Sequence, residues 1–156
     1  MRKNKNIFLG NKGIGIIELM ISCLIIVISF VAFFYGLVSC FKLAQVSKES
    51  FYALQEVSNR MEVIRSSTFM DIFTNFNGRT FEVTGLPTGS TRGSITVDNS
   101  MPDLVRVYIA VCWRSSDDRI IGEDSDLDGA LSVSEDVNNN NRMDSPVTLT
   151  TFITRR

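Results

Sequence analysis

Histidine is absent from the 156-residue chain, and only three cysteines and three prolines occur. The lack of histidine removes the commonest general base and the commonest metal-binding ring. The cysteines, Cys23, Cys40 and Cys112, show no CxxC spacing, so neither a zinc site nor a redox pair is indicated, and we interpret them as small apolar residues. No nucleophile-and-base grouping remains in the sequence. We therefore predict that the protein is not an enzyme.

The charge is distributed unevenly along the chain. The first thirteen residues contain no acid and four bases, which are Arg2, Lys3, Lys5 and Lys12. Because the whole chain has a formal net charge of −1, the remainder carries a net charge of −5. A protein that binds nucleic acid presents a basic face, and the sequence contains no such pattern. No nucleic-acid partner is predicted.

A long apolar run follows the basic leader. Residues 16–41 contain one charged residue, Glu18. As a helix with a rise of about 1.5 Å per residue, this segment spans roughly 39 Å, which is enough to cross the hydrocarbon core of a bilayer. The basic residues before it predict a cytoplasmic N-terminus, with the rest of the chain on the far side of the membrane.

The helical pattern continues past the apolar run but becomes one-sided. The apolar residues that follow fall within an arc of roughly 140° on a helical projection. They are Leu43, Val46, Phe51, Leu54, Val57, Met61 and Ile64. Glu49 lies off this stripe. We expect one helix from about Ile14 to about Ser66, with a transmembrane first half and an amphipathic second half.

The remaining residues predict a cover for the apolar stripe. Thr68 and Asp71 have the spacing of a capping box, which indicates a short helix ending near Asn77. Strand patterns follow at 80–84, 94–98, 104–114 and 147–154. Residues 104–114 alternate apolar and more polar side chains, which predicts one buried face and one wetter face. The expected fold class is α+β, with a long N-terminal helix packed on a small antiparallel sheet.

A secretory signal peptide would have a shorter apolar core followed by small residues at a cleavage site, and neither is found here. The stretch Lys-Gly-Ile-Gly-Ile-Ile-Glu at residues 12–18 resembles instead the cleavage and methylation signal of type IV pilins and type II secretion pseudopilins. The resemblance implies cleavage after Gly13 by a prepilin peptidase and methylation of the new N-terminus, Ile14. Glu18 is then the fifth residue of the mature chain, as in the family. The sequence differs from the usual signal at Ile14, where phenylalanine is common, and at Gly15, where threonine or serine is common.

The position of Glu18 has a physical interpretation of its own. An ionised carboxylate within a membrane segment costs about 2.5–3.5 kcal/mol on insertion scales. The free amine at Ile14 of an adjacent subunit would neutralise it and would set the axial stagger of subunits in a fibre. The alternative is a glutamate near a helix end whose carboxylate reaches the membrane interface.

An acidic segment at 115–146 contains nine acids and two bases. Within it, residues 124–135 resemble a twelve-residue EF-hand calcium loop, with oxygen donors at positions one, three, five, seven, nine and twelve and glycine at position six. The predicted calcium ligands are Asp124, Asp126, Asp128, the carbonyl of Ala130, Ser132 and a bidentate Glu135. The alternative is a solvated acidic loop without a metal.

A second, poorer copy of this loop begins twelve residues later. Its possible ligand positions are Asp136, Asn138, Asn140, Arg142 and Asp144. Asn141 replaces the glycine at position six, and Val147 stands where the closing glutamate would be. We expect one good calcium site, with the second copy either weak or contributing to the first.

The resemblance implies a structural subunit, a pilin or pseudopilin of the minor kind, in a bacterial filament. It implies a single-pass protein of the inner membrane, with a cleaved leader at 1–13, a transmembrane and filament-core segment at 14–41 and a periplasmic domain at 42–156. The implied partners are other subunits, the prepilin peptidase, the filament assembly machinery and the membrane. Major pseudopilins are similar in carrying a calcium loop near the C-terminus. The alternative is a signal-anchored periplasmic calcium-binding module that does not polymerise.

Overall fold

The computed structural model describes residues 15–155, which fall into two compact units divided after Lys42. The first unit holds the N-terminal part of helix α1 (Ile16–Ser66), and the second holds the rest of the chain. The other elements are α2 (Phe69–Phe76), β1 (Arg79–Phe81), β2 (Thr91–Met101), β3 (Leu104–Arg114), β4 (Ile120–Ile121) and β5 (Val147–Thr154). The predicted α+β class is confirmed.

In the first unit, α1 presents apolar side chains on all sides. By length and composition it is able to cross a membrane. Three hydroxyls lie among the exposed apolar side chains, and each donates to the backbone carbonyl four residues earlier: Ser22 to Glu18, Ser29 to Ile25 and Ser39 to Tyr35. Because these polar groups are satisfied within the helix, they do not oppose burial in an apolar environment.

In the second unit, α1 packs on the sheet with a face that differs from the predicted stripe. The buried residues of this face are Glu49, Ala53, Val57, Met61 and Ile64. The stripe was right for its last three members and wrong for Leu43, Phe51 and Leu54, which are exposed. The small side chain of Ala53 and the hydrogen-bonded carboxylate of Glu49 occupy the contact instead.

The sheet is antiparallel and centred on β3. Strand β2 pairs with one edge of β3, while β4 and β5 pair with the other edge at different heights. In the middle of the sheet, Ile109 lies between Ile95 of β2 and Leu149 of β5. The predicted bounds of β3 and β5 are confirmed, whereas β1 is shorter than predicted and β2 is longer, since it runs from Thr91 to Met101 instead of over residues 94–98.

Both faces of β3 are buried, so the prediction of one wetter face was wrong for the middle of the strand. Val107, Ile109 and Val111 join the cluster that includes the buried residues of α1. On the opposite face, Tyr108, Ala110 and Cys112 pack with Leu127 and Met143. These last two residues belong to the acidic segment, which therefore forms the second layer over the sheet.

Helix α2 begins where predicted but without the predicted cap. The Thr68 side chain makes no capping hydrogen bond, and the N–H of Asp71 donates to the backbone carbonyl of Thr68 at 2.9 Å. The helix ends at Asn77, whose N–H donates to the carbonyl of Phe73, and Gly78 follows with a φ of 71°. The buried residue of α2 is Ile72, which holds the helix on the core.

Candidate functional site

The part of the acidic segment that lies between β4 and β5, residues 122–146, forms a loop, and hydrogen bonds join the two ends of this acidic loop. The N–H of Glu123 donates to the carbonyl of Asp144 at 2.9 Å, and the N–H of Asp144 donates to Oε2 of Glu123 at 2.9 Å. The first copy of the predicted calcium motif and most of the second lie between these residues. The reciprocal pair of hydrogen bonds closes the segment before the chain enters β5.

The first copy brings three carboxylates together. Oxygen atoms of Asp124, Asp126 and Asp128 lie within 4.8 Å of one another, and Asp124 is fully buried. The N–H groups of Asp128 and Gly129 donate to the two carboxylate oxygens of Asp124, at 3.1 and 2.9 Å. The structure thus assembles the predicted positions one, three and five. Oxygen ligands in such a group suit a hard cation such as calcium.

The backbone of the first copy requires a glycine at position six. Gly129 has a φ of 86°, which lies in the left-handed region. A Cβ atom at this residue would also collide with Cγ2 of Thr80 and come within 3.0 Å of Cγ of Arg92. Position four, Leu127, has a φ of 59°, and its side chain packs on the sheet. Both conformation and contact therefore hold the loop close to β1 and β2.

The closing glutamate lies against the start of the loop. Oε1 of Glu135 accepts hydrogen bonds from the N–H and the hydroxyl of Ser125, at 2.7 and 2.6 Å, and from the N–H of Asp126 at 3.3 Å. Oε2 accepts from the N–H of Ser132 at 3.1 Å. The hydrogen bond from the Ser125 side chain, followed by that from the Ser132 backbone, lowers the pKa of Glu135 to about 2. Glu135 is therefore ionised at neutral pH but is not in the group of three carboxylates.

The other two predicted ligand positions of the first copy make contacts within the loop. The N–H of Ala130 donates to Oδ1 of Asp128 at 2.6 Å, and the hydroxyl of Ser132 lies 3.0 Å from that of Ser134.

The ionisation of Asp124 depends on its burial. Burial raises the pKa of Asp124 above its ordinary value, although the hydrogen bonds from the backbone amides of Gly129 and Asp128 act to lower it. A buried carboxylate beside two more carboxylates is stabilised when a cation neutralises the group.

The second copy reproduces the hydrogen bonds of the first. The N–H groups of Asn140 and Asn141 donate to the carboxylate of Asp136, at 3.0 and 2.7 Å, as those of the equivalent residues do to Asp124. Positions four and six are again left-handed, with φ of 55° at Asn139 and 56° at Asn141. The N–H of Arg142 donates to Oδ1 of Asn140 at 2.7 Å, as that of Ala130 does in the first copy. The sequence repeat is thus also a repeat of backbone structure.

The side chains of the second copy differ in charge. The amides of Asn138 and Asn140 donate to Oδ2 of Asp144, at 2.7 and 2.8 Å. These hydrogen bonds, that from Asn138 being the largest contribution, hold the pKa of Asp144 below its ordinary value. The guanidinium of Arg142 stacks 4.7 Å from the centre of the Tyr108 ring. Side-chain amides therefore satisfy the carboxylate that a metal would otherwise neutralise.

A buried charged residue whose role the sequence did not reveal is Glu49. It is 3% exposed, and its carboxylate accepts hydrogen bonds from the indole of Trp113, the hydroxyl of Ser115, the N–H of Ser116 and the amide of Gln45. Burial opposes its ionisation, but the hydrogen bonds outweigh burial and hold its pKa below the ordinary value. The available signal was an acid on the helix together with Trp113 and Ser115 at the end of a strand.

The predicted processing and assembly residues lie at the N-terminus. Gly13 and Ile14 are outside the described residues. Glu18 lies in the first turn of α1 and is exposed among apolar side chains. A carboxylate in the first turn is favoured by the N-terminal end of the helix dipole.

Comparisons of the chain with models of protein families, with curated proteins and with solved structures found no match. The fold described above, with an apolar N-terminal helix and an antiparallel sheet packed on its second half, is compatible with that of type IV pilins.

Proposed function

We propose that the protein is a structural subunit, a minor pilin or pseudopilin, of a bacterial type IV pilus-like or type II secretion filament. The observation that carries the proposal is the division of α1. Residues 16–41 expose apolar side chains on all sides, whereas the part of the helix in the second unit buries one face on the sheet. The first part needs an apolar environment. A membrane before assembly and neighbouring helices after assembly would both supply it.

The proposal assigns Glu18 to assembly. Residues 16–41 contain no other charged residue, so Glu18 has no opposite charge within its own apolar segment. After cleavage behind Gly13, the amine of Ile14 in an adjacent subunit would supply the positive charge that pairs with the carboxylate of Glu18. Such pairing selects one axial register, because any other stagger leaves the carboxylate unpaired in an apolar environment.

Within this subunit, the first acidic copy is proposed to bind one calcium ion. Asp124, Asp126 and Asp128 supply carboxylate oxygens, and the loop packs on the sheet through Leu127. Calcium would remove the repulsion within this group and so stabilise the second layer of the domain. The second copy, with its amide-satisfied Asp144, is proposed to hold its shape without a metal. A calcium-binding module that never polymerises would share this site but would not need Gly13 or Glu18.

Assembly tests the proposal. The tagged chain is expressed together with a prepilin peptidase and a complete filament assembly system, and sheared filaments are examined by immunoelectron microscopy. Labelled filaments are expected. A chain that remains in the membrane fraction, while other subunits of the same system assemble, would contradict the proposal and favour the non-polymerising module.

A further inference from the structure

Two valines protrude from the acidic loop. Val133 is 94% exposed and Val137 is 81% exposed. Val133 lies within a helical turn in which the N–H groups of Glu135 and Asp136 both donate to the carbonyl of Ser132, and Val137 follows this turn directly. The loop between β4 and β5, residues 122–146, carries seven acids and one base. An apolar pair of this exposure, rimmed by negative charge, has the properties of a contact surface for a basic, apolar partner.

The second unit also carries a surface of the opposite kind. A groove of about 680 Å³ lies between the end of α1, the start of α2 and β5. Its apolar lining includes Phe69, Met70 and Phe152, and its charged lining consists of Arg65 and Arg155. The lining residues include no acid. Met70 and Phe152 are 67% and 60% exposed, so the apolar part of the groove is open to a partner.

The groove follows an unprotected sheet edge. Strand β5 pairs with β3 along its whole length, and within the described residues no strand pairs with its other edge. The strand contains no charge, no proline and no glycine. Exposed edges of this kind are usually protected by charges, bulges or a covering element. No strand among the described residues covers this edge, so it is available to a partner.

We propose that the acidic loop of one copy of the protein docks into this groove on a second copy. Val133 and Val137 would contact the apolar lining, and the net negative charge of the loop would face Arg65 and Arg155. The loop and the groove are different surfaces, so the contact between two neighbouring copies is head-to-tail. The inference rests on the proposed function only in that filament assembly brings copies together.

The alternative pairing of two β5 edges around a two-fold axis is disfavoured by charge. The guanidinium of Arg65 donates to the hydroxyl of Thr151 at 2.9 Å, near the middle of β5. Antiparallel pairing centred there would bring two arginines together without an acid. Docking of the acidic loop places carboxylates at the same position.

Disulfide cross-linking of the full-length chain tests the docking. Two differently tagged copies, both with Cys23→Ser and Cys40→Ser and with the buried Cys112 retained, are co-expressed with the assembly system. One copy carries Val133→Cys and the other Met70→Cys. Mild oxidation is expected to give a dimer that contains both tags. As a matched control, Met101→Cys replaces Met70→Cys; Met101 is 57% exposed and does not line the groove.

A separate variant tests the contribution of the positive charge of the groove. Arg155→Glu in the copy that carries Met70→Cys is expected to lower the mixed-tag dimer by about tenfold, whereas Arg155→Lys retains it. Equal cross-linking to Met101→Cys, or no mixed-tag dimer in either the membrane or the sheared fraction, would overturn the docking. A same-tag dimer through Phe152→Cys would show that the β5 edges pair instead, which also overturns it. Filaments without the cross-link would refute the docking and leave the proposed function standing. The cross-link without filaments would support the docking and contradict the proposed function.

Discussion

The indole Nε1 of Trp113 donates a hydrogen bond to Oε2 of Glu49 at 3.3 Å, which joins the end of β3 to α1. The hydroxyl of Ser115 donates to the same oxygen at 2.7 Å. A buried carboxylate thus organises the packing of the helix on the sheet, and none of the ion pairs among the described residues involves it. It stabilises the interface because the indole of Trp113 and the hydroxyl of Ser115 are also buried and would otherwise lack an acceptor.

The first prediction concerns this interface. Glu49→Leu leaves the indole of Trp113 and the hydroxyl of Ser115 without an acceptor, and we expect a loss of about 1–3 kcal/mol in the free energy of unfolding. The measurement is urea unfolding of a fragment that starts at Leu43, where the second compact unit begins. Trp113 is the single tryptophan, so its fluorescence reports the contact directly. Glu62→Leu, at an exposed position of the same helix, is the control, and an equal loss in both variants would contradict the role of Glu49.

The second prediction concerns pH. Glu135 has a pKa of about 2 in the folded protein and an ordinary value of 4.5, so its ionised form stabilises the fold. This contribution is complete above pH 4.5 and is lost as the pH falls towards 2. Glu49, whose pKa is also lowered, acts in the same direction. Thermal melts of wild type and Glu135→Gln between pH 7 and pH 2 should therefore converge at acid pH, and a constant difference would exclude this linkage.

The third prediction concerns calcium. Titration calorimetry of the metal-free fragment should show one strong site. At a hundredfold excess of calcium over its dissociation constant, the free energy of unfolding should rise by about 2.7 kcal/mol, and the melting temperature should rise with it. Asp126→Asn, in the first copy, should weaken calcium binding. Asn138→Asp, at the equivalent position of the second copy, should change the affinity less. Magnesium should substitute poorly, because it requires a tighter octahedral shell. Absence of binding at millimolar calcium would identify the segment as a metal-free loop.

The fourth prediction separates close contact from backbone conformation at Gly129. Both Gly129 and Gly89 have positive φ, 86° and 77°, so an alanine at either position is strained. Only at Gly129 would the added Cβ also meet other side chains, those of Thr80 and Arg92. Gly129→Ala should therefore reduce stability by about 1–3 kcal/mol more than Gly89→Ala in urea unfolding. Equal effects would show that the loop does not need to lie so close to the sheet.

The long elements were predictable because one strong pattern determined each of them. The end of α1 at Ser66 and the bounds of β3 and β5 follow from runs with a single period. The face of α1 that packs on the sheet was not predictable in the same way. Apolarity favoured Phe51 and Leu54, whereas the structure buries Glu49, whose partners Trp113 and Ser115 lie more than sixty residues away in the sequence.

The candidate metal site was predictable in its ligand spacing but not in its relation to the fold. The likeness of residues 124–135 to an EF-hand loop predicted that Asp124, Asp126 and Asp128 would lie together, as they do. The packing of Leu127 and Met143 on β3 depends on contacts between distant segments, and these made both faces of the strand apolar. The local signal was that large apolar residues, Leu127 and Met143 among them, occur within an acidic loop.

The fifth prediction concerns assembly. Glu18→Ala should leave membrane insertion intact, since removal of the charge makes the segment more apolar. Incorporation into filaments should fall sharply, because the amine of the adjacent subunit loses its partner. Glu62→Ala is the matched control on the same helix. The measurement compares the amounts of each variant in membranes and in sheared filaments, and wild-type incorporation of Glu18→Ala would exclude a docking role for this residue.

The N-terminus of the chain after processing tests the central claim most directly. The chain is co-expressed with a prepilin peptidase, and the intact mass and N-terminal sequence of the purified product are determined. Removal of the first 13 of 156 residues should leave a chain of 143 residues that begins with a methylated Ile14, and Gly13→Leu should abolish this product. An intact leader beginning at Met1, or a cut at any other bond, would contradict the assignment of the protein as a prepilin-like filament subunit.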